Sequence, residues 1–188
     1  MEITFVWVLS QVFTVIEYGL LGASYLAKKR KMIVMLDIAS MICGIVAFIL
    51  LGADLGMAMS VIILLANFYY LWDENKHNAK ERSVLHARDY VVLAVVLLGI
   101  GIVTALTWEG WLGLLSVAAT VLYEVSIWQK STKVYKFLGI PVAFCWMTYN
   151  GFVRSPFGVL CELVMFITSI IGYVREIRAG KRKRRTKK

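Results

Sequence analysis

The stretch PVAFCWMTYNGFVRSPFGVLCELVMFITSIIGYVR, residues 141–175, decides the fold. Its two apolar runs flank a short loop at residues 152–157 and so predict a hairpin of two helices. Trp146 and Asn150 are four residues apart and therefore share one helix face. Glu162 lies about one turn into the second run, at a depth similar to that of Asn150. Because a carboxylate in a bilayer costs roughly 2.5–3.5 kcal/mol on insertion scales, we expect Glu162 to face protein or water.

The remainder of the chain repeats this apolar pattern. Of its 188 residues, 60% are hydrophobic, whereas a soluble domain is about 45–50% apolar. The apolar residues form runs of about 17–25, which is the length needed to cross a bilayer. The sequence therefore predicts an all-α integral membrane protein with seven transmembrane helices. The predicted spans are 3–27, 33–51, 56–72, 90–107, 111–128, 135–152 and 157–175.

Basic residues alternate between the connections of these spans. One side of the predicted membrane topology carries 20 of the 21 Lys and Arg residues, and the other side carries only Arg154. The positive-inside rule then predicts an N-terminus outside and a C-terminus in the cytoplasm. This topology explains the net charge of +9 without a nucleic-acid partner. We expect the basic tail, residues 177–188, to lie on anionic lipid.

The two halves of the chain share a layout, which indicates an internal repeat. Each half consists of a span, a basic connection, a second span, a short connection and a third span. Three spans reverse direction and a fourth restores it, so the sequence predicts a parallel 3+1+3 repeat with a pathway between its halves. The predicted units are residues 1–75, 76–110, 111–176 and 177–188. A shift of 102 residues pairs Lys28 with Lys130, Gly56 with Gly158, Ser60 with Glu162, and Asn67 with Ser169.

Polar residues inside the spans are the candidates for a site, because each needs a partner in lipid. The candidates for contact with a solute are Trp146, Asn150, Glu162, Asn67, Glu17 and Gln11. Trp146 offers a flat wall, and Asn150 can hold either Glu162 or a ligand. The alternatives are that Trp146 is a packed core residue and that the polar stripes only join helices. For Glu124, a functional role and an interfacial position remain equally open.

Two further expectations concern chemistry and movement. Pro141 interrupts the hydrogen-bond ladder early in the sixth span, which predicts a hinge. His77 and His86 have no Cys or carboxylate at zinc-ligand spacing, and no catalytic motif occurs in the chain. We therefore expect no enzyme activity, no cofactor and no metal.

The pattern Trp146-x3-Asn150-x4-Ser155-x2-Gly158-x3-Glu162-x12-Arg175 resembles the C-terminal half of the YgjV-type bacterial inner-membrane proteins. A Gln in the first span and a Leu-Gly turn after the second extend the likeness. The resemblance implies a multi-pass protein of the bacterial inner membrane, in a family without an established biochemical activity.

A second resemblance is to the PnuC-type vitamin transporters, which share the 3+1+3 plan, as do SWEET-type sugar facilitators. The segment Ala66–Trp72 is similar to the end of the PnuC third span. Trp146-Met147-Thr148-Tyr149 is similar to the PnuC W-x-x-W motif, with Tyr149 in place of the second Trp. PnuC proteins take up nicotinamide riboside and related vitamins, so the resemblance implies that Tyr149 contacts a solute.

These observations together predict a facilitator or transporter of a small polar metabolite that contains a ring, such as a nucleoside or vitamin. The solute would pass between the two three-helix repeats. The alternative is a non-transporting membrane protein with an assembly or regulatory role. The sequence leaves the substrate, the coupling ion, the direction of transport and the oligomeric state open.

Overall fold

The computed structural model describes residues 5–52, 54–76, 84–106, 110–152, 154 and 156–185. Within these ranges the chain forms seven α-helices and no strand. Predictions that concern His77 and Ser155 lie outside the described residues. The helices are α1 Phe5–Leu26, α2 Arg30–Leu51, α3 Asp54–Lys76, α4 Ala87–Leu106, α5 Gly113–Trp128, α6 Thr132–Phe152 and α7 Pro156–Arg185.

The predicted helical class and the number of helices are confirmed, but two helices are longer than expected. Helix α3 continues past the predicted end at residue 72 to Lys76. Helix α7 continues to Arg185, so most of the predicted tail is a helical extension. Lys, Arg and Ala are good helix formers, and basic residues near a helix C-terminus interact favourably with the helix dipole. These residue types therefore extend α7 beyond its apolar run.

Four helices are long and apolar enough to cross a membrane by length and composition, which fits a multi-pass protein. They are Phe5–Leu26, Arg30–Leu51, Ala87–Leu106 and the Phe157–Arg182 part of α7. Helix α5 is also apolar but has only 16 residues. Large apolar side chains on the outer faces are exposed, as on α4, where Leu98 is 67% and Ile102 60% accessible. An apolar surface of this kind is typical of a face that contacts lipid.

The seven helices are packed in a ring. Each helix packs against the next helix in the chain, and α7 returns to pack against α1. Most of the connections are short, which makes the helices that they join antiparallel. The ion pair between Arg88 and Asp73 brings the start of α4 beside the end of α3, so these two helices are antiparallel as well. Gly52 ends α2 in the left-handed conformation with a φ of 65°, and its N–H donates to the carbonyl of Ile49. Such a turn uses the conformational freedom of glycine at the end of a helix.

Antiparallel packing gives the ring two different ends. One end has the α1–α2, α3–α4 and α5–α6 connections and the C-terminus of α7. We call it the basic end, because the Lys and Arg residues that the structure describes lie there, with the exception of Arg154. The opposite end holds the α2–α3, α4–α5 and α6–α7 connections.

The contact between α1 and α7 near the basic end depends on a glycine. Gly172 is buried, and a Cβ built on it would collide with the backbone carbonyl of Tyr25. Lys136 of α6 also lies beside this position, so there is no free space into which a methyl group can move. The absence of a side chain at residue 172 is what lets α1 and α7 approach this closely.

We predict that Gly172→Ala destabilises the protein by about 1–3 kcal/mol, the usual cost of forcing an extra methyl group into a packed interior. The measurement is thermal unfolding of the purified protein in detergent. Gly101→Ala is the matched control, because Gly101 is exposed on α4 and a Cβ there meets nothing within 4 Å. Equal melting temperatures for the two variants would contradict the contact described here.

Candidate functional site

A cavity of about 400 Å³ lies inside the ring and is lined by residues from all seven helices. Its lining residues come largely from the helix segments near the opposite end, such as Phe48, Thr104 and Asn150. Thr104 and Asn150 are partly exposed, whereas Tyr25 and Tyr123 at the other limit of the cavity are buried. The cavity is therefore a half-enclosed pocket that is closed toward the basic end.

One wall of the cavity combines aromatic and polar side chains of α6. Trp146, Tyr149 and Asn150 all lie on this wall. The rings of Trp146 and Tyr149 meet edge to face, with their centroids 5.8 Å apart. A flat ring beside an amide suits a ligand that has both an aromatic surface and hydrogen-bonding edges.

Glu162 of α7 lies on the cavity wall and is only 5% exposed. Tyr18 of α1 donates a hydrogen bond from its hydroxyl to Glu162 Oε1 at 3.0 Å. We expected Asn150 to be available as the partner of Glu162, but the donor in this structure is Tyr18. The reason is that α7 packs against α1 as well as α6, which brings a residue 144 positions away into contact.

Glu17 of α1 is the second carboxylate on the cavity wall. Its carboxylate lies over Gly44 of α2, where a Cβ would come within 2.5 Å of Glu17 Oε1. Glu17 and Glu162 are close enough to interact electrostatically. The glycine on α2 thus leaves room for an acidic group beside the cavity.

The structure brings together most, but not all, of the residues predicted for the site. Five of them line one cavity: Trp146, Tyr149, Asn150, Glu162 and Glu17.

Two of the remaining candidates lie away from the cavity. Gln11 donates to Ser10 Oγ at 3.3 Å and is not part of the cavity wall. Asn67 is fully buried behind the wall.

Pro141 lies within α6, which continues through it, and its role as a hinge stays a prediction.

The buried end of the cavity is built from tyrosines and an aspartate that we did not select from the sequence. Tyr25 stacks on Tyr135 with ring centroids 5.0 Å apart. The Tyr135 hydroxyl is 3.1 Å from both carboxylate oxygens of Asp37 and 2.7 Å from Ser24 Oγ. Asp37 is fully buried. A single acidic residue inside the apolar run of α2 was the signal that could have identified it.

Glu124 is also buried, which excludes the interfacial position that the sequence left open. It has no exposed surface, and Tyr70 of α3 donates to its Oε1 at 2.6 Å. The Glu124 side chain therefore does not extend to the membrane–water interface. Its hydrogen bond with Tyr70 joins α5 to α3 inside the bundle.

The basic end contains an ion cluster centred on Lys130, in the α5–α6 connection. Lys130 Nζ lies 2.7 Å from Asp73 Oδ2 and 2.8 Å from Asp89 Oδ2, and it donates to the carbonyl of Val84 at 3.1 Å. Arg30 Nε pairs with Glu74 Oε1 at 2.7 Å beside this cluster. The cluster ties α3 and α4 to the connection between α5 and α6.

Two lysines that we counted among the basic connections are buried. Lys130 is 8% exposed, and Lys136 is 2% exposed and pairs with Glu176 at 2.7 Å. The extended α3 and α7 supply carboxylates that reach them, Asp73 for Lys130 and Glu176 for Lys136.

Comparison with known proteins identifies a family. A family model described as Imp-YgjV, bacterial inner membrane protein, matches residues 8–180. No curated protein and no solved structure matches the chain.

We predict that Lys130→Met lowers the free energy of unfolding by about 3–5 kcal/mol, because it leaves two buried carboxylates without their shared cation. Thermal unfolding in detergent measures the loss. Lys133→Met is the matched control, since Lys133 lies in the same region but is exposed. If both substitutions shift the melting temperature equally, the Lys130 cluster does not stabilise the fold.

Proposed function

The chain belongs to the Imp-YgjV family of bacterial inner membrane proteins, and we propose that it is a facilitator for a small polar solute that contains a ring. The observation that carries the proposal is the cavity of about 400 Å³ inside the ring of helices. A helical protein that needed its polar residues only to join helices would have no reason to maintain such a space. Solute sites between helices typically have this size and this mixture of aromatic and polar walls.

The repeat is part of the proposal, and the order of the helices supports it. Helices α1, α2 and α3 pack in sequence, as do α5, α6 and α7, with α4 between the two groups. Ser60 and Glu162, which the repeat relates to each other, both lie on the cavity wall. A parallel 3+1+3 repeat of this kind places the pathway between its halves.

The cavity is closed at one end, as alternating access of a solute requires. Tyr25 and Tyr123 limit the cavity toward the basic end, and the Lys130 cluster lies at that end. We propose that this arrangement is one of two alternating states, in which the solute enters from the opposite end. A bend at Pro141 would move the basic-end part of α6 and open the way through.

The orientation follows from the positive-inside rule, which puts the basic end in the cytoplasm. The cavity of this structure then opens to the outside of the inner membrane. Alkaline phosphatase, which folds actively only in the periplasm, is expected to be inactive when fused after Lys188, whereas a fluorescent protein fused there should be fluorescent. The reverse pattern would overturn the orientation.

Transport itself is tested with the purified protein in liposomes and a panel of labelled nucleosides, vitamins and sugars. We expect saturable uptake of at least one solute with a ring. Saturable flux of none of them would favour the alternative of a non-transporting assembly or regulatory protein.

For the solute that is taken up, we predict that Glu162→Gln lowers uptake at least tenfold, equivalent to about 1.4 kcal/mol. The substitution is nearly isosteric, and its amide can still accept the hydrogen bond from Tyr18, so folding should be preserved. Glu176→Gln is the control, because it removes a carboxylate outside the cavity, while its amide oxygen can still accept the hydrogen bond from the buried Lys136. Full uptake by Glu162→Gln at the wild-type protein level would count against the site.

A further inference from the structure

We propose that the solute is an organic cation, bound with its positive charge between Glu17 and Glu162 and its ring against Trp146. This inference deepens the proposed function and rests on the cavity being a solute site. Three features of the cavity carry it: its charge, its aromatic walls and an unused hydroxyl group.

The charged side chains on the cavity wall are all acidic. Glu17 and Glu162 are part of the lining, and no Lys, Arg or His is among the described residues that form it. Neither carboxylate has an ion pair within the described part of the chain, although buried carboxylates elsewhere in the bundle, such as Asp73 and Asp89, pair with Lys130. Two uncompensated carboxylates in a low-dielectric site favour a cation and disfavour an anion.

The aromatic side chains of the cavity are the second feature. Trp146 and Tyr149 form an edge-to-face pair on one wall, and Tyr18 lies beside Glu162. The faces of such rings attract organic cations, most strongly when the charge is removed from water. A hydrated metal ion would gain little from these walls, because hard cations require several oxygen ligands in a compact shell. The aromatic walls and the volume of the cavity therefore favour an organic cation with a ring.

Ser60 is the third feature and is independent of the carboxylates. It lies on the cavity wall, is 8% exposed, and its hydroxyl has no hydrogen-bond partner within the described residues. A hydroxyl on a cavity wall can both donate and accept a hydrogen bond, so it can pair with a polar group of a ligand. Ser60 lies across the cavity on α3, and a polar substituent of the solute would satisfy it.

The experiment measures binding to the full-length protein in detergent by fluorescence of its tryptophans and by calorimetry, at one pH. Three probes share a benzene ring and differ in charge: benzyltrimethylammonium, benzyl alcohol and benzoate. We expect the cation to bind at least tenfold more tightly than either of the others. Glu17→Gln and Glu162→Gln should each weaken binding of the cation at least tenfold and leave binding of benzyl alcohol unchanged, while Glu176→Gln changes neither.

The outcomes separate this inference from the transport proposal. Equal binding of the three probes, or a preference for benzoate, overturns the cation site, even if liposomes show saturable uptake of a neutral solute. Selective binding of the cation that depends on both glutamates supports the site, even if liposomes show no flux. If a Gln variant fails to fold, Gly44→Ala tests the same point: the new methyl group must displace the Glu17 carboxylate, and unchanged affinity for the cation would count against its role.

Discussion

The buried ammonium group of Lys130 is the constraint on which the arrangement of the helices depends. It brings together Asp73 at the end of α3, Asp89 at the start of α4 and the connection between α5 and α6. Its own backbone has a φ of 63°, which is uncommon for a residue with a side chain. A buried charge tolerates few alternative geometries, because each displaced partner leaves an uncompensated ion. Four of the seven helices are therefore held in register at one end of the ring.

The interior of the bundle differs between its two ends: it is closed by packed side chains near the basic end, and it contains the cavity nearer the opposite end. Between the cavity and the basic end, the Tyr25–Tyr135 stack and the hydrogen bonds from Tyr135 to Asp37 close the bundle. The wall of the cavity itself carries carboxylate, amide and hydroxyl groups. Polar groups thus occupy two places in the same set of helices: some join helices to one another near the basic end, and others line the cavity that we propose as the solute site.

The sequence was sufficient to predict the helices and several residues of the cavity wall. Apolar runs of membrane-spanning length gave the seven helices, and the four-residue spacing of Trp146 and Asn150 opposite Glu162 identified one wall of the cavity. The partner of Glu162 was not predictable, since Tyr18 reaches it only because α7 packs on α1. The burial of Lys130 was not predictable for a similar reason, because the carboxylates that surround it come from other helices.

The order of the charges along the chain has a consequence for biosynthesis. Asp73 and Asp89 leave the ribosome before Lys130, so the lysine can find both of its counter-ions already present in the nascent protein. For Lys136 the order is reversed, because its partner Glu176 is translated 40 residues later. Helix α6 therefore carries an unmatched basic side chain until α7 has been translated, and the arrival of α7 completes the pair.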